Sequence, residues 1–243
     1  MSTAVVAALA DDAAARAVAE RLGLPIVTSP AFASMLLRST PSGLGLRETA
    51  PGAPGPVVID LVKGRVGWRK EHGSSARDPL CRALGLGRGP TTVVDATAGL
   101  LVDSMALVNA GLEVTAIERS PIVAALQRDA VLRAGGVPGL TLVHGDAIAL
   151  LSEWAGTARA PDAILVDPMY DDQTRKSIAP KEMRALRLAV GPDADAGALV
   201  AAALSCAQRR VVVKRARHAP VLHPSPSFEL VGRSTRFDVY LRP

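Results

Sequence analysis

Five short apolar runs in this 243-residue chain each close on a residue able to do chemistry: Asp95, Glu118, His144, Asp167 and Lys214. The first reads Val93-Val94-Asp95-Ala96-Thr97-Ala98-Gly99, an apolar run that breaks into small residues and a glycine. Small side chains let a ligand approach the backbone, and a helix beginning there presents unpaired N–H groups. Glu118 closes the second run, 19 residues beyond Gly99. A carboxylate so placed can accept both hydroxyls of a ribose, the logic of nucleotide sites at strand ends. A merely solvated charge is the plain alternative. The third run leads into His144-Gly145-Asp146-Ala147. Asp146 can accept from an adenine amino group, cap the following helix, or do both. His144, alone at a strand end, reads as a structural hydrogen-bonder.

The fourth run carries the reaction class. Ile164-Leu165-Val166 passes directly into Asp167-Pro168-Met169-Tyr170. Proline stiffens the turn and restrains the residue before it to an extended conformation. An exocyclic amine delocalises its lone pair into its base. Acceptors on its N–H bonds are therefore needed to aim the nitrogen at an incoming methyl carbon. Asp167 and the neighbouring carbonyl supply such acceptors, and Tyr170 offers a face for an extruded base. The fifth run is basic, Arg209-Arg210-Val211-Val212-Val213-Lys214-Arg215-Ala216-Arg217. Lys214 and Arg215, with Arg69, Lys70, Lys181 and Arg184, are the candidate phosphate contacts. Such contacts position a nucleic acid without reading its sequence.

These residues need a scaffold that brings strand ends together. Strand-like runs at 92–96, 113–118, 140–144, 163–167 and 210–214 alternate with helix-like segments at 102–110, 121–134, 147–154 and 181–207. That alternation predicts a parallel sheet with helices on its faces and ligands beyond its carboxyl ends. Runs at 228–231 and 237–241 can close it as a hairpin. The first 90 residues are less regular, with short strands expected at 4–9, 35–37 and 57–62 and a helix at 13–22. Hydrophobic residues make up 49% of the chain and aromatics only 3%, so Ala, Val and Leu must fill the core. A net charge of +5 favours phosphate-rich partners. Cys81 and Cys206 lie far apart without metal-ligand spacing, which predicts reduced, buried thiols and no metal site. With no basic lead-in and no long apolar segment, the cytoplasm is the expected location and no membrane partner is expected.

Several blocks together carry a resemblance. They are Asp95-Ala96-Thr97-Ala98-Gly99-Leu100, Glu118-Arg119, Asp167-Pro168-Met169, Lys181-Glu182-Met183-Arg184, Val190-Gly191-Pro192-Asp193, Arg210 to Arg215 and Arg236 to Tyr240. The chain from about Leu46 onward resembles the bacterial small-subunit (16S) rRNA guanine-N2 methyltransferase family RsmJ. The resemblance implies a class I fold dependent on S-adenosyl-L-methionine (SAM): Rossmann-like, with a mostly parallel seven-stranded sheet, a C-terminal antiparallel hairpin and a small N-terminal α+β domain. The expected division is residues 1–88, the small domain and linker, and 89–243, the methyltransferase domain. The implied activity is methylation of a guanosine N2 in small-subunit ribosomal RNA, either naked or in the assembled subunit. Carried over by motif, cofactor contacts fall at Val102, Asp103, Glu118, Arg119, Asp146, Ala147 and Asp167, beside the strand-end residues Asp95, Thr97 and Gly99. Asp167, Pro168, Met169 and Tyr170 form the catalytic turn. After Gly99-Leu100 the family usually continues Gly-Arg-Asp, whereas this chain has Leu101-Val102-Asp103.

Two other classes use some of the same features. A nicotinamide-dependent oxidoreductase would share the first turn and Glu118, but normally has the fuller G-x-G-x-x-G, which this turn lacks. A non-catalytic RNA-binding or ribosome-assembly protein could keep a degenerate SAM site, with the Leu101-Val102 change as its mark.

Overall fold

The computed structural model describes residues 5–62, 78–87, 89–169, 181–191 and 194–242. The chain falls into two compact units. One comprises Met1–Leu61, Ser120–Gly136 and Met169–Pro192; the other comprises Val62–Arg119, Val137–Pro168 and Asp193–Pro243.

The first unit holds a five-stranded sheet built from β1 (Val6–Leu9), β2 (Ile26–Val27), β3 (Met35–Thr40), β4 (Gly43–Glu48) and β5 (Val57–Val58), in the order β2-β1-β3-β4-β5. Helix α1 (Ala13–Arg21) starts where Asp12 accepts a hydrogen bond from the Ala15 N–H. The same carboxylate accepts from Arg38 and from the Ser39 amide and hydroxyl, tying the helix start to β3. β4 was not expected as a strand, because its Gly-Leu-Gly-Leu sequence reads as a loop. Gly45 is small for a reason: a Cβ there would lie 2.9 Å from Val58 Cγ2 on the neighbouring strand.

In the second unit, α2 (Pro79–Leu84) precedes the strands β6 (Thr92–Asp95), β7 (Glu113–Glu118), β8 (Leu140–His144), β9 (Ala163–Val166), β10 (Arg210–Ala216), β11 (Phe228–Val231) and β12 (Thr235–Leu241). They form one seven-stranded sheet in the order β11-β12-β10-β9-β6-β7-β8. β6 through β10 pair in parallel, whereas β12 pairs antiparallel with both β10 and β11. The mostly parallel sheet and its C-terminal hairpin are those expected from the sequence.

Period-two alternation explains why the strands read as continuous apolar runs. Val94, Ile164, Val166, Val211 and Val213 face one way, onto α5 (Ala147–Trp154) and α7 (Ala196–Cys206). Val93, Ala163, Leu165 and Val212 face the other way, onto α2 and α3 (Val102–Asn109). With helices on both faces, neither set of residues can be polar. Two further helices, α4 (Pro121–Arg133) and α6 (Lys181–Val190), belong to the first unit. α4 begins at Pro121, after Ser120, whose hydroxyl accepts from the Val123 N–H. The expected single helical stretch over 181–207 is two helices, because Gly191 turns left-handed at φ 82° and ends α6.

Strand order reverses at β6: β7 and β8 lie on one side of it, β9 and β10 on the other. A crevice outside the carboxyl ends is favoured at such a point. Among the described residues, no helix is long and apolar enough to cross a membrane.

Candidate active site

The loop from Asp95 to Gly99 leaves β6 at that switch point and ties its two neighbours together. On one side, the Ala96 N–H donates to the Leu165 carbonyl of β9 and the Asp167 N–H donates to Thr97 Oγ1 at 2.7 Å. On the other, the Ala98 N–H donates to the Ile117 carbonyl and the Gly99 N–H donates to Glu118 Oε2 at 3.1 Å. The Asp167 backbone and the Glu118 carboxylate are therefore both tied to one short loop, the first at its centre and the second at its end. Thr97 is the pivot: its hydroxyl fixes the backbone of the Asp167-Pro168 turn, and Pro168 is buried behind it.

Under the loop lies a buried carboxyl. Asp95 is 2% exposed and accepts from Ser104 Oγ at 2.6 Å and from the Thr97 N–H at 3.3 Å. Burial pushes its pKa up to about 7, and the carboxylates of Asp103 and Asp167 push the same way. The Ser104 and Thr97 hydrogen bonds partly offset that rise. Ser104 was not singled out in the sequence, although a lone hydroxyl in the apolar segment Met105-Ala106-Leu107 that follows it was a signal that it had a partner.

Lys214 provides the cation. Its ammonium donates to Asp167 Oδ2 at 2.8 Å and to Asp103 Oδ2, so β10, α3 and the end of β9 meet at one charge. Burial alone would lower the proton affinity of this amine. Attraction to Asp167 and Asp103, with the hydrogen bonds to both, overrides it and holds the ammonium above the usual lysine range.

Leu101 opens α3 in the left-handed region, at φ 61° and ψ 15°, with none of its surface exposed. A side chain without exposed surface lines no open crevice. The leucine is turned into the protein.

A family model described as "Putative SAM-dependent methyltransferase" matches residues 17–242. A protein of Thioalkalivibrio sulfidiphilus named ribosomal RNA small subunit methyltransferase J is 42% identical over 236 residues, covering 93% of this chain and 92% of that one. A protein of the same name from Nitrosococcus oceani is 40% identical over 243 residues, with 94% and 93% covered. A crystal structure of a SAM-dependent methyltransferase from Neisseria gonorrhoeae matches with a TM-score of 0.72 at 30% identity, over 97% of this chain and 95% of that one.

The chain belongs to the ribosomal RNA small subunit methyltransferase J family. It is a SAM-dependent methyltransferase.

The strand-end residues fit that cofactor's groups. SAM carries a sulfonium, an ammonium and a ribose with two hydroxyls. Asp103 and Asp167, both carboxylates on the ammonium of Lys214, have the charge that suits a cationic ligand. Glu118, buried at the end of β7, has the acceptor chemistry that a ribose needs.

The remaining expected residues of this methyltransferase are distributed as follows. Val102 is half-buried and begins α3, next to Asp103. Arg119 is turned onto Asp195, donating to both carboxylate oxygens at 3.0 and 2.8 Å. Asp146 caps α5, accepting from the Ala149 N–H at 3.0 Å, and is exposed; Ala147 behind it is buried. Met169 is half-buried, while Tyr170, Arg69 and Lys70 lie outside the described residues, as does the side chain of Lys181. Arg184, on α6, pairs with Glu48 of β4 at 2.8 Å within the first unit. Arg215 is 4% exposed and donates to the Pro220 carbonyl at 2.9 Å. Of the two basic residues at the end of β10 expected to meet phosphate, one holds a loop and the other lies among the carboxylates of the site.

Proposed function

We propose that this enzyme methylates the exocyclic N2 of a guanosine in small-subunit ribosomal RNA, in the cytoplasm. The observation that carries the reading is the joint anchoring of Asp167 and Glu118 to one loop, within a chain of the methyltransferase J family. In this reading Glu118 accepts the ribose hydroxyls of SAM, and Gly99, Val102 and Asp103 lie along the cofactor. Asp146 and Ala147 flank its adenine. Bound SAM supplies an electrophilic methyl group on a sulfonium.

The protein's own residues do the rest by orientation. Asp167 and the Pro168 carbonyl accept the two N–H bonds of the guanine amine. The nitrogen lone pair is thereby aimed at the methyl carbon. As the N–C bond forms, the methyl–sulfur bond breaks with its electron pair left on sulfur, S-adenosylhomocysteine leaves, and the amine's proton passes to solvent. Alignment of this kind supplies roughly 7–11 kcal/mol in well-oriented intramolecular reactions. The flipped guanine stacks on Tyr170. Of the six candidate phosphate contacts, Arg69, Lys70, Lys181 and the exposed Arg184, which forms a surface pair with Glu48, track the RNA backbone.

The test is transfer of labelled methyl from SAM to small ribosomal subunits taken from cells lacking this protein, followed by nucleoside analysis and mapping. The reading expects label in N2-methylguanosine at one position. Label in another nucleoside, or in ribosomal protein, refutes it. SAM binding and RNA binding with no methyl incorporation would favour the assembly-factor alternative.

A further inference from the structure

Lys214 is placed by the alternation of its strand. β10 pairs in parallel with β9 through Val211↔Ile164 and Val213↔Val166, so Lys214 lies just past the paired end of β9, beside Asp167. Period two sets Lys214 on the same face as Val212. That is the face covered by α3, where Leu107 packs in the same core as Val212. Asp103 lies four residues before Leu107, on the same side of the helix, and so reaches the same point. The strand and the helix together deliver one ammonium to two carboxylates, with side-chain exposures of 26% for Lys214, 15% for Asp103 and 38% for Asp167.

We propose that Lys214 is a positioning residue for methyl transfer: anchored on one side by Asp103, its ammonium fixes the Asp167 carboxylate in the plane from which it aims the target amine. This rests on the role given to Asp167 above. A phosphate contact is the competing use of a lysine at this strand end, and the surroundings oppose it. Charged groups that face Asp167 include Lys214 from β10 and the carboxyl of Asp95 from β6, and Asp103 of α3 shares the Lys214 ammonium with it. A phosphate arriving at Lys214 would meet carboxylates on each side. Two anchors also explain why a flexible lysine can serve here: a chain with four rotatable bonds held at one contact would swing, whereas two contacts fix its tip.

The test compares full-length wild type with Lys214→Met, Lys214→Arg and Asp103→Asn, using ribosomal subunits as substrate and, separately, NMR of the Lys214 side chain without cofactor. The proposal expects Lys214→Met to lower kcat about 100-fold, the scale of a displaced reacting group, with KM for subunits and its salt dependence unchanged. Lys214→Arg recovers part of the rate. In wild type the Lys214 amine titrates above the ordinary value of about 10.4, and Asp103→Asn brings it down. A raised KM, a weaker salt dependence and an intact kcat would make Lys214 a phosphate contact and overturn the proposal. So would an amine titrating in the ordinary range. Should Lys214→Met fail to fold, Asp103→Asn carries the kinetic test at saturating SAM, which sets aside its place along the cofactor, with a smaller loss of kcat at unchanged KM for subunits expected and an unchanged kcat overturning it. If wild type itself methylates something other than a base amine, the reading of the reaction falls, while the NMR titration still reports on the clamp.

Discussion

Leu101 sets two physical effects against each other at one residue. Its backbone is left-handed, which costs a non-glycine residue roughly 1–2 kcal/mol. Its side chain is completely buried, and truncating such a leucine to alanine costs roughly 3–5 kcal/mol once the cavity is counted. Burial wins, so a leucine is tolerated where the conformation favours glycine. Leu101→Ala keeps the strained backbone and loses the packing. Leu101→Gly loses one more methyl, about 0.8 kcal/mol, but relieves the backbone. Both variants should therefore be less stable than wild type, by roughly 2–5 kcal/mol. The glycine variant should equal or exceed the alanine one by up to about 1 kcal/mol, which in a chain of this size is about 2–4 °C in Tm. At an ordinary helical position the order is reversed, with glycine about 1 kcal/mol worse. Urea and thermal unfolding of the three full-length proteins measure it. A glycine variant clearly below alanine would mean that the backbone at 101 is unstrained, and one above wild type would mean that the leucine is poorly packed. Because the side chain reaches no open surface, affinity for S-adenosylhomocysteine should change little in whichever variant remains folded.

Further outcomes follow from the same site. Asp167→Ala should abolish methyl transfer and leave the far-UV circular dichroism and unfolding transition close to wild type; near-normal turnover would remove Asp167 from its assigned role. Asp95 holds its proton up to about pH 7 in the folded protein but releases it near 3.8 when exposed. Between those values the native state binds more protons than the unfolded one, so this residue makes stability fall with rising pH, by up to ~1.4 kcal/mol per unit. Asp95→Asn should flatten that segment of the stability–pH curve, and an unaltered slope would contradict the account. In the first unit, Asp129 of α4 accepts from the Leu44 N–H at 2.9 Å and from Arg133 at 2.8 Å, and Arg133 also donates to the Ile59 carbonyl. Asp129→Ala should cost about 1–3 kcal/mol, read from denaturant unfolding, because it strips a partner from a β-strand amide and from a cation. Asp195→Ala, which removes one partner of the half-exposed Arg119, should cost less than about 1 kcal/mol by the same measurement.

The parallel sheet was legible because both its faces are covered. Strands β7, β8 and β11 run over the segments read from the sequence, Glu113–Glu118, Leu140–His144 and Phe228–Val231, and the others differ by a residue or two at their ends. The first unit was harder to read. β2 and β5 are two-residue strands, and the glycines of β4 answer to a neighbouring strand rather than to a turn. At the site, the residue types were visible but not their partners. Arg119 meets Asp195, 76 positions away, and Lys214 meets Asp103, 111 positions away; no local pattern reports such pairings. One clue was present. Lys214 stands two residues after Val212, so the alternation that made the strand readable also set the lysine on the α3 face.

The claim on which the rest depends is that the Asp95–Gly99 loop joins a cofactor-binding carboxylate to a substrate-aiming one. A crystal structure of the complex with S-adenosylhomocysteine tests it most directly. The account predicts both ribose hydroxyls on Glu118 and the sulfur facing the Asp167-Pro168 turn. A ligand bound away from Glu118, or with its sulfur turned from Asp167, would contradict it.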